Sequence, residues 1–310
     1  MASRPLVRLG IAFALVYVLW GSTYLAIRYA VETLPPLLMA GARHITAGAV
    51  LYAIARKRGG ALPTRIHWRS ALIIGTLMLL GGNGGVSWAE QHVPSGLAAL
   101  IVATVPLWMV VLHASSGARG SLTPRVGLGV LLGLAGVAIL MDPRAGDRVD
   151  PLGGGILLLA ALSWAAGSLY ARRAPLPQSP LMATGLELLA GGAALVLAGL
   201  LLGEGPKVNL AQASSTSLLS WVYLVIFGSI IGFTAYIYLL NHASPAAAST
   251  YAYVNPIVAV LLGWYFVDET ISIRTGVAGA VILAAVVLLT LRPATRSRPV
   301  TPASAPVEPA

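Results

Sequence analysis

Ten apolar stretches follow one another along this chain, at 9–28, 36–55, 70–90, 95–113, 123–141, 152–171, 180–202, 218–240, 245–266 and 273–292. Each is about as long as one bilayer crossing needs, and no other feature restricts the fold so severely. Inside a bilayer the backbone must satisfy its own N–H and C=O groups, so a spanning segment is a helix or part of a closed barrel. Stretches of this length are helical crossings, and the short spacers make neighbours antiparallel. Charge agrees: Asp, Glu, Lys and Arg supply 10% of the sequence, where soluble domains carry about 25%. That is too little to cover a water-soluble globule.

The stretches are doubled. Trp20, Leu25, Arg28, Ala30, Pro36, Leu37, Gly41 and Gly48 recur 144 positions later as Trp164, Leu169, Arg172, Ala174, Pro180, Leu181, Gly185 and Gly192. Matches of Ala, Leu and Gly mean little in so apolar a chain, but Trp, Arg and Pro in one phase mark a repeat. With the offset changed to 150, Gln91-His92 falls over Asn241-His242, and Ala98, Pro106 and Leu112 fall over Ala248, Pro256 and Leu262. The expected fold is all-α, ten transmembrane helices built as two five-helix repeats at 9–141 and 152–292. An outer linker at 142–151 joins them, with a short N-terminus at 1–8 and a disordered Pro/Ala/Ser/Thr tail at 293–310.

Orientation follows from the basic residues. With the N-terminus inside, the inner loops carry Arg4, Arg8, Arg56, Lys57, Arg58, Arg65, Arg69, Arg119, Arg125, Arg172, Arg173, Arg292, Arg296 and Arg298. The outer loops carry only Arg144, Arg148, Lys207 and Arg274. The positive-inside rule places both termini in the cytoplasm, and it explains the net charge of +10 without nucleic acid. Nearly all loop acids, among them Glu32, Asp142, Asp147, Asp150, Glu204, Asp268 and Glu269, fall outside. Five helices per copy invert the second copy, an arrangement on which many secondary transporters are built. The apolar run after Arg4 and Arg8 is long enough to be a retained first helix rather than a signal peptide.

Particular residues then resemble a known family. They are Trp20-Gly-Ser-Thr-Tyr24 with Arg28, Pro35-Pro36 and Gly41-x-Arg43, Gly82-Asn83-Gly84, and Ala89-Glu90 with Val93-Pro94-Ser95-Gly96. Ala103-Thr104-Val105-Pro106, Ser163-Trp164-Ala165, Ser249-x-Tyr251-Ala252-Tyr253-Val254-Asn255-Pro256 and Glu269-Thr270 complete the set. The pattern resembles the EamA-type drug/metabolite transporters, and within them the YedA-like inner-membrane permeases, over residues 9 to 292. The resemblance implies two EamA modules and alternating access, in the bacterial inner membrane and in a family containing exporters of amino acids and other small metabolites. One departure is Gly117-Ala118-Arg119-Gly120, where the first module often carries an acid; Glu269 keeps the equivalent acid in the second.

Arg43 and Glu187 are repeat mates of opposite charge inside predicted helices, where an ionisable side chain costs about 2.5–3.5 kcal/mol on insertion scales. Two readings stand. In one they belong to a structural salt bridge, with each other or with Glu90 and Arg172 respectively. In the other Arg43 holds a substrate anion, and Glu187 carries a coupling proton. His44, beside Arg43, is the histidine deep enough for proton coupling. Trp20 and Trp164, with Tyr24, Trp88, Trp108, Tyr251 and Tyr253, either join interfacial belts or wall a cavity for an amphipathic solute or organic cation. Asn83 and Asn255 lie beside helix irregularities, where repairing exposed backbone comes first and ligand binding second. Pro106 and Pro256 are expected to kink the fourth and ninth helices.

Other classes have little support. No HExxH, Gly-x-Ser-x-Gly, paired membrane aspartates or cysteine is present, which argues against a membrane enzyme, a metal site and a cofactor. Nothing resembles a channel's selectivity filter. The expected partners are a small-molecule substrate and membrane lipids, with no nucleic acid, the chain being a monomer or weak homodimer.

Overall fold

In the computed structural model the described residues are 3–115, 124–140, 150–243 and 250–290. All secondary structure among them is helical. The helices are α1 (Ser3–Ala30), α2 (Pro36–Lys57), α3 (Arg65–Ala89), α4 (Ser95–Val102), α5 (Val105–Ser115) and α6 (Pro124–Leu140). There follow α7 (Pro151–Ala171), α8 (Pro180–Leu201), α9 (from Ser215 to His242), α10 (Tyr251–Val267) and α11 (Ile273–Thr290). Seven helical stretches are long and apolar enough to cross a membrane, α4 and α5 counting as one. Gly127–Leu140, Val254–Val267 and Ile273–Leu288 are shorter apolar helices. Where ten crossings are expected, the described residues hold seven helices of spanning length and three shorter apolar ones. The linker acids Asp142 and Asp147, Arg119 and its neighbours, and the C-terminal tail lie outside the described residues.

Glycine shapes the contact between α2 and α8. Along the α2–α8 seam, a Cβ on Gly41 would sit 3.0 Å from the Gly192 carbonyl oxygen, and one on Gly48 the same distance from that of Gly185. Ascending α2 therefore means descending α8, so the two helices are antiparallel here. The pairs also exchange under the 144-residue offset, which makes the contact self-complementary, as in an isologous dimer. Small residues let backbones approach where apolar burial gives no drive for association. The same offset relates Gly59 and Gly203, which stop α2 and α8 at φ +82° and +77°, a left-handed turn that glycine enters without strain. Elsewhere the first helix of each copy packs on the other: α1 on α9 and α10, α7 on α3, α4 and α5. The remaining mates, α6 and α11, meet with Gly136 against Ile282.

Both third helices are irregular in the middle. α3 is α-helical over Arg65–Ile74, π-helical over Gly75–Gly84 and α-helical again over Gly85–Ala89. α9 repeats the sequence with Ser215–Tyr223, π-helical Leu224–Ile231 and Gly232–His242. The glycine run 81–85 suggests the first weakness, whereas little in Leu224–Ile231 suggests the second. A π segment loosens the i−4 ladder, and such interruptions of α-helices are frequent at functional sites. Here a side chain from the opposite copy meets a carbonyl of each segment: the Ser163 hydroxyl donates to Leu77 O (2.7 Å), the Trp20 indole N–H to Gly228 O (3.2 Å).

The expected paired kinks differ from each other. Around Pro106 the crossing breaks at Ala103–Thr104 and restarts, with proline second in α5, where its missing N–H leaves no bond unmade. Pro256 stays inside α10.

Candidate functional site

The two repeat-mate tryptophans act as knobs over glycines that are themselves mates. A Cβ on Gly232 would lie 2.6 Å from Trp20 Nε1, and a Cβ on Gly82 2.7 Å from Trp164 Cε3. Each tryptophan is therefore seated directly on the irregular helix of the opposite copy. Trp20 also meets Phe233, Tyr236 and Tyr251, at ring-centroid distances of 5.4, 4.9 and 5.2 Å. These are edge-on and tilted aromatic contacts. Asn255, with its amide nitrogen turned toward them, donates to the carbonyls of Tyr251 and Tyr17 at 3.2 Å each. It repairs backbone and ties α10 to α1.

Arg43 crosses from α2 to the π segment of α9. It is 4% exposed, and its Nε donates to the Ser229 hydroxyl at 2.9 Å. A Cβ on Gly228 would stand 3.1 Å from Arg43 Nη2 and 3.0 Å from Thr23 Cγ2. Glycine at 228 thus lets the guanidinium lie against the helix backbone. The Gly228 carbonyl is already taken by Trp20, so Trp20, Thr23, Arg43, Gly228 and Ser229 form one constellation. Ser229 and Gly228 escape a reading of the sequence, because a serine in an apolar helix has no local mark of its partner.

This arrangement corrects the expected ion pairs. Arg43 finds a hydroxyl where a carboxylate was expected. Glu90, proposed as its partner, instead accepts a hydrogen bond from Arg28 Nη1 on its backbone carbonyl, at 3.1 Å. The Glu90 side chain is fully buried and neither carboxylate oxygen has a hydrogen-bond partner. Arg172 is exposed at the end of α7, while Glu187 is half-buried in α8. His44 is also fully buried, with both ring nitrogens unpartnered.

Other expected residues stand apart from this constellation. Trp88 meets His92 in a tilted ring contact, centroids 5.1 Å apart, and lines a cleft of about 220 Å³ with Glu32, Gln91, Glu204 and Lys207. Trp108 is half-buried with its indole N–H unpartnered. Tyr24 packs beside the cluster containing Ala26, Ile27 and Met39, and Asn83 lies half-buried in the π segment of α3. Tyr253 belongs to α10, its side chain lying outside the described residues.

At the end of the bundle carrying the acidic loops, carboxylates hold helix N-termini. Glu269 accepts from Ser95 N (2.7 Å), Ser95 Oγ (2.8 Å) and Gly96 N (3.0 Å) at the start of α4. Glu204 accepts from Leu37 N (3.2 Å) and Leu38 N (2.9 Å) in α2, and Asp150 from Gly153 N (2.7 Å) in α7. A carboxylate there meets free N–H groups and the positive end of the helix dipole. Asp268, at φ +52°, turns the chain so that Glu269 reaches across. The acids thus have a structural reason to gather at this end.

The sequence model of the EamA-like transporter family matches residues 8–141 and again residues 152–291. Over 283 residues the chain is 44% identical to a protein of Escherichia coli K12 described as the uncharacterized inner membrane transporter YedA, covering 91% of this chain and 90% of that one. It is 30% identical over 278 residues to a chloroplastic WAT1-related protein of Arabidopsis thaliana, covering 87% of this chain and 66% of the plant protein. A protein crystal structure with 22% identity superposes with a TM-score of 0.61, covering 92% of this chain and 96% of the other, a likeness of fold.

Proposed function

The chain belongs to the EamA-like transporter family, and on that premise we propose that it is a secondary exporter of small metabolites in the bacterial inner membrane, working by alternating access. Amino acids and amphipathic compounds are the proposed cargo. One observation carries this reading: α3 and α9, mates in the repeat, are both loosened at mid-length, and each lies under the tryptophan of the opposite copy. Irregular backbone at membrane depth is tolerated where it is buried in protein or lines a water-filled cavity. Transporters built from repeats bind near the midplane at such interrupted helices and rock one half against the other. Both termini are placed in the cytoplasm.

The transport site is proposed at Trp20, Arg43, Asn83, Trp164 and Asn255, with Tyr24, Trp88, Trp108 and Tyr253 along the route. Glu90 and His44, buried and without hydrogen-bond partners, are the proposed proton carriers, with Glu187 and Arg172 as lesser members of the network. A second reading, export of organic cations, draws on the rings around Trp20; Arg43 beside them opposes it. Flux from proteoliposomes tests the proposal. Saturable, competable flux is expected, accelerated by an imposed pH gradient. Flux that rises linearly with concentration would instead indicate a channel, and saturable flux indifferent to pH an uncoupled facilitator.

A further inference from the structure

The buried cation in α2 meets no counter-charge among the described residues. Among the described residues, Ser229 alone accepts a hydrogen bond from Arg43, and no carboxylate oxygen lies within 4 Å of it. Removing a guanidinium from water costs several kcal/mol unless an opposite charge or a full set of acceptors replaces the lost hydration. The chain holds acids that would serve, yet uses none here. Glu187, the repeat mate, remains in α8, and Glu90 meets Arg28 through its backbone carbonyl, its carboxylate lying elsewhere without a hydrogen-bond partner. The carbonyl of Gly228, the residue packed against the guanidinium, accepts from the Trp20 indole.

Ser229 takes only Nε, which fixes the plane of the guanidinium and leaves its two terminal nitrogens uncommitted. Such an edge matches a carboxylate, which accepts two parallel N–H···O bonds from it. Gly228 keeps this edge clear: any side chain there would press on Nη2 and on Thr23. Trp20, which donates to the Gly228 carbonyl, is grouped with Phe233, Tyr236 and Tyr251, an aromatic surface suited to the body of a solute whose head lies on Arg43. The matching place in the other copy lacks this chemistry. Glu187 replaces Arg43 and, at the 150-residue offset, Leu79 replaces Ser229.

We propose that Arg43, oriented by Ser229, is the oxyanion-binding residue of the transport site, and that the solute is a small carboxylate with an apolar body. This rests on the transporter reading and names its substrate class.

The test uses the full chain in lipid nanodiscs and a panel of carboxylates from acetate to decanoate with 3-phenylpropionate, each beside its amide. Inorganic phosphate and 3-phenylpropylamine complete the panel, and binding is read by thermal shift and tryptophan fluorescence. At least one apolar carboxylate is expected to bind saturably, and at least about tenfold more tightly than its amide, as a charged hydrogen-bond pair commands. Arg43→Gln is expected to remove that preference and leave the amide's affinity unchanged, Arg43→Lys to restore part of it, and Ser229→Ala to weaken it severalfold. Where Arg43→Gln does not fold, Ser229→Ala decides by the same comparison. Equal binding of acid and amide, binding of phosphate or the amine alone, or a preference indifferent to both variants would overturn the proposal. Counterflow of the same panel in proteoliposomes separates the two levels. If neutral or cationic solutes cross saturably while carboxylates do not, the transporter reading stands and this inference falls; if nothing crosses, the transporter reading itself fails.

Discussion

The wall around Trp20 and the wall around Trp164 share one plan and differ in chemistry. In both, a tryptophan sits on a glycine of a π-broken helix from the opposite copy, and a donor from that copy meets a carbonyl of the broken segment. At the first wall that donor is the tryptophan itself, and Arg43 and Ser229 add a charge and a hydroxyl. At the second, Ser163 does the repair and Glu187 occupies the place of Arg43. The shared plan concerns how the helices fit together. The differences fall on a charge, a hydroxyl and a carboxyl, so the chemistry of the two walls does not follow the symmetry of the scaffold.

The comparison breaks most severely at the glycine seam. Gly48→Val and Gly192→Val are each expected to abolish recovery of monodisperse protein, and to equal extents, because the 144-residue offset carries one position onto the other within a self-matching contact. Gel filtration from detergent checks this; tolerance of one substitution and not the other would deny the symmetry. Next come the charged mates. Arg43→Gln is expected to cut transport at least about tenfold, while Glu187→Gln keeps substrate affinity and changes only the response to a pH gradient, a split that flux kinetics resolve. Under the tryptophans, Gly82→Ala and Gly232→Ala should each cost about 1–3 kcal/mol through overpacking, read as matched losses of thermal stability. Smallest are the repairs at the carbonyls. Ser163→Ala removes the hydroxyl's bond to Leu77 O and should cost about 0.5–1.5 kcal/mol with affinity intact, whereas Ser229→Ala at the other wall loses affinity.

Much of this plan is legible in the chain because repeats and apolar lengths are local. Trp20, Trp164, Gly41, Gly48, Gly185 and Gly192 are found by sliding the sequence over itself, and the structure puts all six to work at contacts between copies. The Arg43–Ser229 bond and the clasp of Glu269 on Ser95 are not legible, since partners 186 and 174 residues apart leave no pattern in either neighbourhood. The π segment at Leu224–Ile231 escapes for a related reason. Its register depends on an indole from α1 that reaches a carbonyl 208 residues away, and nothing in the stretch Leu-Val-Ile-Phe-Gly-Ser-Ile-Ile distinguishes it from an ordinary apolar helix. Arg43, by contrast, is conspicuous from its charge alone, but only folding reveals that its partner among the described residues is a hydroxyl and not an acid.

The seam between α2 and α8 bears on what a severed gene would produce. Each half carries, on one helix, a strip of bare backbone shaped to fit a strip like itself running the other way. Cut between the repeats and expressed alone, a half has no companion in its own chain, and the surface it leaves open fits a second copy inserted upside down. The intact protein holds that encounter at fixed stoichiometry. With both halves on one polypeptide, one of them was free to acquire a guanidinium and the other a carboxyl, a divergence that two identical subunits could never have shared between them.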